Sequence, residues 1–314
     1  MKKVVLLIPV YNEASVIVAN LQAIIAHTNT LTDICCQILL VDDGSSDCLK
    51  DVLEKHFALG TTIHYLSLNR NFGKEAALSA GLAKTANFDA VIVMDSDLQH
   101  PPHLLPRMLE LWLQGSEVVE ACKQSRGHEP LVKGVGAKFF YKLFGYCTGI
   151  NINQQSDFKL LDKKVVAFYN SLPEKDRFFR GLVHWMHFST AQVYFDVPES
   201  TRGDSAWSTW GLVRYAIRSI TSFTSFPLQI VTICGGLTFL LSLVLGSIAI
   251  MDKLSGKAVD GFSTVILLIL MIGSVLMFSL GLIGIYIARI YDEVKRRPSY
   301  IIDDSTSVIK NLAD

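Results

Sequence analysis

No residue between Arg218 and Asp252 carries a charge, and none does between Asp260 and Arg289. Each interval exceeds the roughly 20 apolar residues with which a helix crosses a bilayer core, and helices of soluble domains rarely run so far without a polar face. The reading is a two-helix transmembrane hairpin over 226–290; two buried helices of a soluble domain are the alternative. Lys295, Arg296 and Arg297 follow the second stretch and Arg214 and Arg218 precede the first, while the connection carries only Lys253 and Lys257 beside Asp252 and Asp260. The positive-inside bias then puts both outer flanks, and both termini, in the cytoplasm. Leu212, Tyr215, Ala216, Ser219 and Ile220 form a helical stripe opposite Arg214 and Arg218, which predicts an amphipathic interfacial helix over 208–225. An ordinary linker helix is the alternative. Gly235-Gly236 and the Gly281/Gly284 pair offer small surfaces for close helix packing, hence a homo-oligomer, dimer or tetramer.

The remaining two thirds read differently. Across 314 residues, 29 Lys+Arg balance 29 Asp+Glu, so no bulk charge draws the chain to nucleic acid. Met1-Lys2-Lys3 leads into Val4–Val10, too short for a signal peptide and interrupted by Pro9, so a strand is expected. The six cysteines show no C-x-x-C pairing and are expected to be reduced, mostly in the core. Strands at Val4–Val10, Gln37–Val41, Ile63–Leu68 and Ala90–Met94 alternate with helical spacing at Glu13–Ala26, Asp47–Phe57 and Lys74–Lys84. That alternation predicts an α/β fold over 1–207 with a mostly parallel, Rossmann-like sheet covered on both faces. Residues 291–314 are set apart as a cytoplasmic tail.

Ligands of such sheets collect at the carboxyl ends of the strands. Three polar clusters fall there: Tyr11-Asn12-Glu13, Asp42-Asp43-Gly44-Ser45 and Asp95-Ser96-Asp97. Each has a plain structural alternative: Asn12 and Glu13 as a helix opening, Ser46 or Asp47 as an N-cap, Asp43-Gly44 as a tight turn. Strand alternation would aim Asp95 and Asp97 the same way, at one cation. Mg²⁺ or Mn²⁺ held by one or two carboxylates completes its shell with water and phosphate oxygens, which implies a nucleoside diphosphate. Asp42 or Asp43 would then accept from a uracil N–H.

Pro9-Val-Tyr-Asn-Glu13, Val41-Asp-Asp-Gly-Ser45, Arg70-Asn-Phe-Gly-Lys-Glu75, Asp95-Ser-Asp-Leu-Gln-His100, Ser156-Asp-Phe-Lys-Leu160 and Arg177-Phe-Phe-Arg-Gly-Leu-Val-His-Trp185 occur in that order. With Ile220–Leu228, the paired apolar stretches and Lys295–Ile302, this resembles the family 2 glycosyltransferases of GT-A fold. Within them it is most similar to the polyisoprenyl-phosphate glycosyltransferases, the group of bactoprenol glucosyltransferases and dolichyl-phosphate mannose synthases. The resemblance covers nearly the whole chain.

It implies an inverting transfer of a hexose, by resemblance glucose, from a UDP-sugar to undecaprenyl (polyprenyl) phosphate at the cytoplasmic face of a bacterial inner membrane. The donor would meet Pro9, Tyr11, Asn12, Glu13, Val41, Asp42, Asp43, Asp95, Ser96 and Gln99, with the metal on Asp95 and Asp97. Asp157 takes the family's catalytic acid position beside Asp97 and Arg70, its alternative being an N-cap ahead of Phe158. Phosphate or acceptor contacts fall to Lys123, Arg126, Arg177, Arg180 and Arg202, with Arg177 and Arg180 on one face if helical. The resemblance implies basic residues at the positions where Ser200 and Ala206 stand here, with Arg202 displaced by two positions. That departure supports a second reading, a donor-binding but catalytically weak membrane scaffold partnering a flippase or another transferase. A processive polysaccharide synthase is disfavoured by the absence of Q-x-x-R-W.

Overall fold

The computed structural model describes residues 1–29, 31, 34–124, 155–175, 177–196, 226–255, 262–309 and 312. The chain divides into two compact units: Met1–Trp207 with Pro298–Asp314, and Ser208–Arg297. The expected interfacial helix over 208–225 lies outside the described residues.

In the first unit, β1 (Lys2–Val10), β2 (Ile34–Asp42), β3 (Ile63–Ser67) and β4 (Ala90–Val93) alternate with α1 (Ile17–Thr28), α2 (Leu49–His56) and α3 (Lys74–Lys84). A 3-10 turn at Pro102–Leu104 leads to α4 (Leu105–Leu113), β5 (Val118–Lys123), β6 (Gln155–Asp162), α5 (Lys163–Ser171), α6 (Phe179–Trp185) and β7 (Thr190–Phe195). One sheet runs β3-β2-β1-β4-β6-β5-β7. Its pairs are parallel except where β6 meets β4 and β5. The apolar run Val4–Ile8 is buried because helices cover both sheet faces. On one of them α3 lies so close to β1 that a Cβ at Gly81 would come within 2.4 Å of Leu7 Cδ1.

Two helix starts differ from expectation. Apolar spacing predicts α1 from Glu13, but the helix begins at Ile17, because the Glu13 side chain is committed to Ser96 instead. Asp47 does not cap α2, whose N-cap is Cys48; its carboxylate accepts from the Ala14 N–H at 2.9 Å. Cysteine placement differs too: Cys122 is buried, while Cys35 and Cys48 are exposed free thiols.

Residues from Pro298 are not a separate tail. They pack on the first unit, where Val308 and Ile302 bridge Tyr65 and Leu68 in antiparallel fashion and cover the outer edge of β3. An open edge would otherwise present unpaired N–H and C=O groups.

The second unit contains α7 (Phe226–Leu254) and α8 (Phe262–Val294). Both expose apolar side chains along their length, including Leu237, Leu240, Phe278 and Ile287. Among the described residues one stretch, Met271–Val294, is long and apolar enough to cross a membrane; Val231–Leu245 is a shorter apolar stretch. The expected pair of spans thus stands at one by that measure.

Candidate active site

The parallel strands β1, β2 and β4 deliver three polar turns to one end of the sheet, and the turns hold one another. Asn12 takes a left-handed backbone, φ 52°, which asparagine tolerates better than most side chains. Its N–H donates to Ser45 Oγ at 2.9 Å, and its Oδ1 accepts from the Ser46 N–H at 2.8 Å. Pro9 and Val41 lie opposite each other in the β1–β2 register, and Tyr11 is exposed just beyond. Glu13, buried, accepts from the Ser96 hydroxyl, while Asn20 Nδ2 donates to the Ser96 carbonyl at 2.8 Å. Glu13 and Ser96 thereby lock the first turn to the third.

Asp42 and Asp43 are neither a bare turn nor idle acceptors. Asp42 Oδ1 accepts from the Ser45 N–H at 2.9 Å and its hydroxyl at 2.5 Å, and Oδ2 accepts from the Tyr65 hydroxyl at 2.5 Å. Asp43 accepts from the Phe72 and Gly73 N–H groups at 2.7 and 2.8 Å. Burial raises the Asp43 pKa, opposed by those two donors. Gly44 is required on two counts: its φ is +68°, and a Cβ there would sit 2.3 Å from the Arg70 carbonyl carbon. This contact presses the loop carrying Arg70 against the second turn; the Arg70 guanidinium itself lies over the Phe72 ring, 4.2 Å from its centroid.

Strand alternation predicts one shared face for Asp95 and Asp97. The structure corrects this: β4 ends at Val93, and both acids lie in the turn beyond it, with Leu98 at φ 58°. Asp97 Oδ1 accepts from the Gln99 N–H at 3.1 Å. The Asp95 carboxylate turns to Lys74, whose Nζ lies 2.5 Å from Asp95 Oδ1 and 2.7 Å from Asp157 Oδ2. Asp157 is no N-cap; it sits within β6, 9% exposed at the side chain. Arg180, in the first turn of α6, grips it with Nε at 2.5 Å from Oδ1 and Nη2 at 3.0 Å from Oδ2. Burial works to raise the Asp157 pKa, but Arg180 and Lys74 outweigh it and hold the carboxyl well below the usual range. Burial likewise pushes the Lys123 ammonium down, with Arg180 adding repulsion and Asp95, Asp157 and Asp97 opposing.

Asp95, Asp157 and Arg180 therefore meet, with Lys123 and Asp97 near enough to be felt. Arg177 does not join them. It precedes α6 rather than sharing a helical face with Arg180, and its guanidinium donates to the Leu172 and Glu174 carbonyls at 2.7 and 3.0 Å. Arg126 and Arg202, with Ser200 and Ala206, lie outside the described residues.

A family model for Glycosyl transferase family 2 matches residues 5–166. The chain belongs to glycosyltransferase family 2. An uncharacterized glycosyltransferase of Synechocystis sp. is 38% identical over 301 residues, covering 95% of this chain and 94% of that protein. Bactoprenol glucosyl transferase of Shigella phage SfII is 35% identical over 305 residues, covering 96% and 98%. An uncharacterized glycosyltransferase of Bacillus subtilis is 33% identical over 308 residues, covering 96% and 94%.

In this family 2 glycosyltransferase, with its GT-A-like α/β fold, three site residues escape sequence reasoning. Lys74 opens α3, where the helix macrodipole disfavours a cation; that misplacement is the legible signal of an anionic partner. Glu75, next to it, accepts from the Phe179 N–H at 2.9 Å and so ties α3 to the start of the helix carrying Arg180. Burial, then Asp157, raises its pKa to about 7. His100 is buried behind the third turn, stacked on Phe158 with centroids 5.2 Å apart, and its Nδ1 accepts from the Asp95 N–H at 3.0 Å. This leaves the imidazole proton on Nε2 in the neutral ring, whose pKa burial pushes down.

Proposed function

We propose that the chain is an inverting polyprenyl-phosphate hexosyltransferase, moving glucose from UDP-glucose to an undecaprenyl-type phosphate at the cytoplasmic membrane face. The carrying observation is the state of Asp157. A carboxylate held ionised by Arg180 and Lys74 is a poor proton acceptor but a fixed, oriented anion. A phosphate acceptor arrives already ionised and needs no proton removed before its oxygen attacks the anomeric carbon. The site thus suits an acceptor of that kind, and Asp157 positions sugar or cations rather than taking a proton. Attack from the side opposite the departing diphosphate gives inversion. The bactoprenol name of a full-length relative supports the lipid and the sugar.

A divalent ion, Mg²⁺ or Mn²⁺, fits beside Asp95. The Lys74 ammonium lies 2.5 Å from Asp95 Oδ1, so the ion would take the other carboxylate oxygen or displace the lysine. Among the described residues no group of three or more His, Cys, Asp or Glu forms a complete cage. Asp95 and Asp97 would hold the ion with diphosphate oxygens completing the shell, and when bound it supplies charge neutralisation of the leaving group. Lys123, whose charge interacts with Asp95, Asp97 and Asp157, would add a cation beside the same anion.

The membrane hairpin is supported by connectivity. Chain on both sides of the second unit belongs to one compact first unit, so a crossing within the second unit calls for a second one to return. Met271–Val294 is the candidate for one, and α7 is the available partner for the other.

Membranes bearing the chain, given radiolabelled UDP-glucose, undecaprenyl phosphate and Mg²⁺ or Mn²⁺, are expected to yield labelled lipid. No labelled lipid from any common UDP-hexose overturns the reading. Ser200→Arg with Ala206→Lys addresses the weak-scaffold alternative: a large gain in turnover would favour it.

A further inference from the structure

The segment after the membrane helices reaches the nucleotide end of the sheet by a chain of direct contacts. Tyr65 and Val308 exchange backbone hydrogen bonds, Tyr65 N–H to Val308 O at 3.0 Å and Val308 N–H to Tyr65 O at 2.7 Å. The Ser67 N–H donates to Ser307 Oγ at 3.0 Å, the Asp303 N–H to the Ser67 carbonyl at 2.8 Å, and the Asn69 N–H to the Ile301 carbonyl at 3.1 Å. The segment is folded to make these bonds: the Asp303 carboxylate accepts from the Ser305 N–H and hydroxyl and from the Thr306 hydroxyl. The same stretch of β3 and its following loop holds the second polar turn from the other side. The Tyr65 hydroxyl donates to Asp42, the Leu68 N–H donates to the Asp42 carbonyl at 2.9 Å, and the Phe72 and Gly73 N–H groups donate to Asp43. Gly44 packs on the Arg70 backbone in between.

We propose that residues 298–309 are a positioning element of the donor pocket, holding the edge from Tyr65 to Asn69 so that the Arg70–Gly73 loop presents Asp43 and Arg70 to a nucleoside diphosphate. The hydrogen bonds of the segment run to Tyr65, Ser67 and Asn69, so it acts through β3 and the loop that follows. Because it follows α8 directly, the membrane anchor and the nucleotide pocket share one covalent strap. The inference rests on the donor pocket proposed above.

The test uses the full chain in detergent beside a chain ending at Arg297 and the single variant Val308→Pro, which removes the N–H donated to Tyr65. Hydrogen exchange at the Phe72 and Gly73 amides reads the loop without any ligand; UDP affinity with Mn²⁺ reads the pocket. Both variants are expected to exchange at least tenfold faster at those amides, to bind UDP roughly five- to twentyfold more weakly, and to keep the KM for lipid acceptor. A peptide of residues 298–314 added to the shortened chain restores slow exchange. Unchanged exchange in both variants overturns the proposal. So does faster exchange spread evenly over all seven strands in both variants, which marks general unfolding instead. If the intact chain fails to bind UDP while the amides respond as expected, the donor assignment falls and the strap stands.

Discussion

Lys74 and Asp157 meet at 2.7 Å although they lie on α3 and β6, and the same ammonium reaches Asp95 at 2.5 Å beyond β4. One cation thus ties the end of the parallel half of the sheet to its antiparallel insertion. Burial disfavours its charge, but Asp157 and Asp95 more than compensate and raise its pKa.

Lys74→Met leaves Asp157 with Arg180 alone. Because the lysine side chain is 41% exposed, the stability loss is expected to be about 1 kcal/mol rather than that of a fully buried pair. Turnover should fall further, by about 10- to 100-fold, as expected for loss of a charged hydrogen bond near reacting groups. Thermal melting against kcat separates the two.

Asp95→Ala with Asp97→Ala is expected to abolish the dependence of UDP affinity on Mn²⁺ while leaving the melting temperature within a few degrees. Calorimetric titration of UDP with and without the ion checks this. Retained metal-assisted affinity would place the ion elsewhere.

The pH dependence of stability should carry two slopes of opposite sign. Glu75 has a pKa of about 7 in the folded chain against 4.5 ordinarily. The folded state therefore keeps that proton more tightly, and the resulting stability is full below 4.5 and lost as pH rises toward 7. Asp157, held low by Arg180 and Lys74 against its burial, contributes stability that is lost as pH falls below its ordinary 3.8. Glu75→Gln should flatten the decline toward neutrality and leave the acid limb, as read from melting temperatures across pH 3 to 8.

Lys159 and Glu120 face each other across β6 and β5, both buried, in a direct ion pair. Glu120→Gln strands a buried ammonium and is expected to cost about 3 to 5 kcal/mol. Glu120→Leu with Lys159→Met should cost clearly less, a comparison made by melting curves.

Much of this arrangement is legible in the chain. Period and punctuation give the parallel half, because strands buried on both faces read as unbroken apolar runs, and Asp95, Asp157 and Arg180 fall within short motifs. What escapes is long-range. Lys74 finds one partner on the distant strand β6 and the other in the turn beyond β4, Arg177 turns to local carbonyls once the helix begins after it, and the Asp95–Asp97 turn leaves strand geometry before either acid. No local pattern reports that Pro298–Val308 returns to the edge of β3, since the pairing is made by backbone groups that every sequence possesses.

The order of synthesis gives that return a further meaning. The Ser67 amide waits for a hydroxyl 240 residues later, and both long apolar helices are made in the interval. During translation the first unit stands unfinished along the outer margin of β3 until both of these helices have been made. That margin closes only after the most apolar part of the chain has been produced.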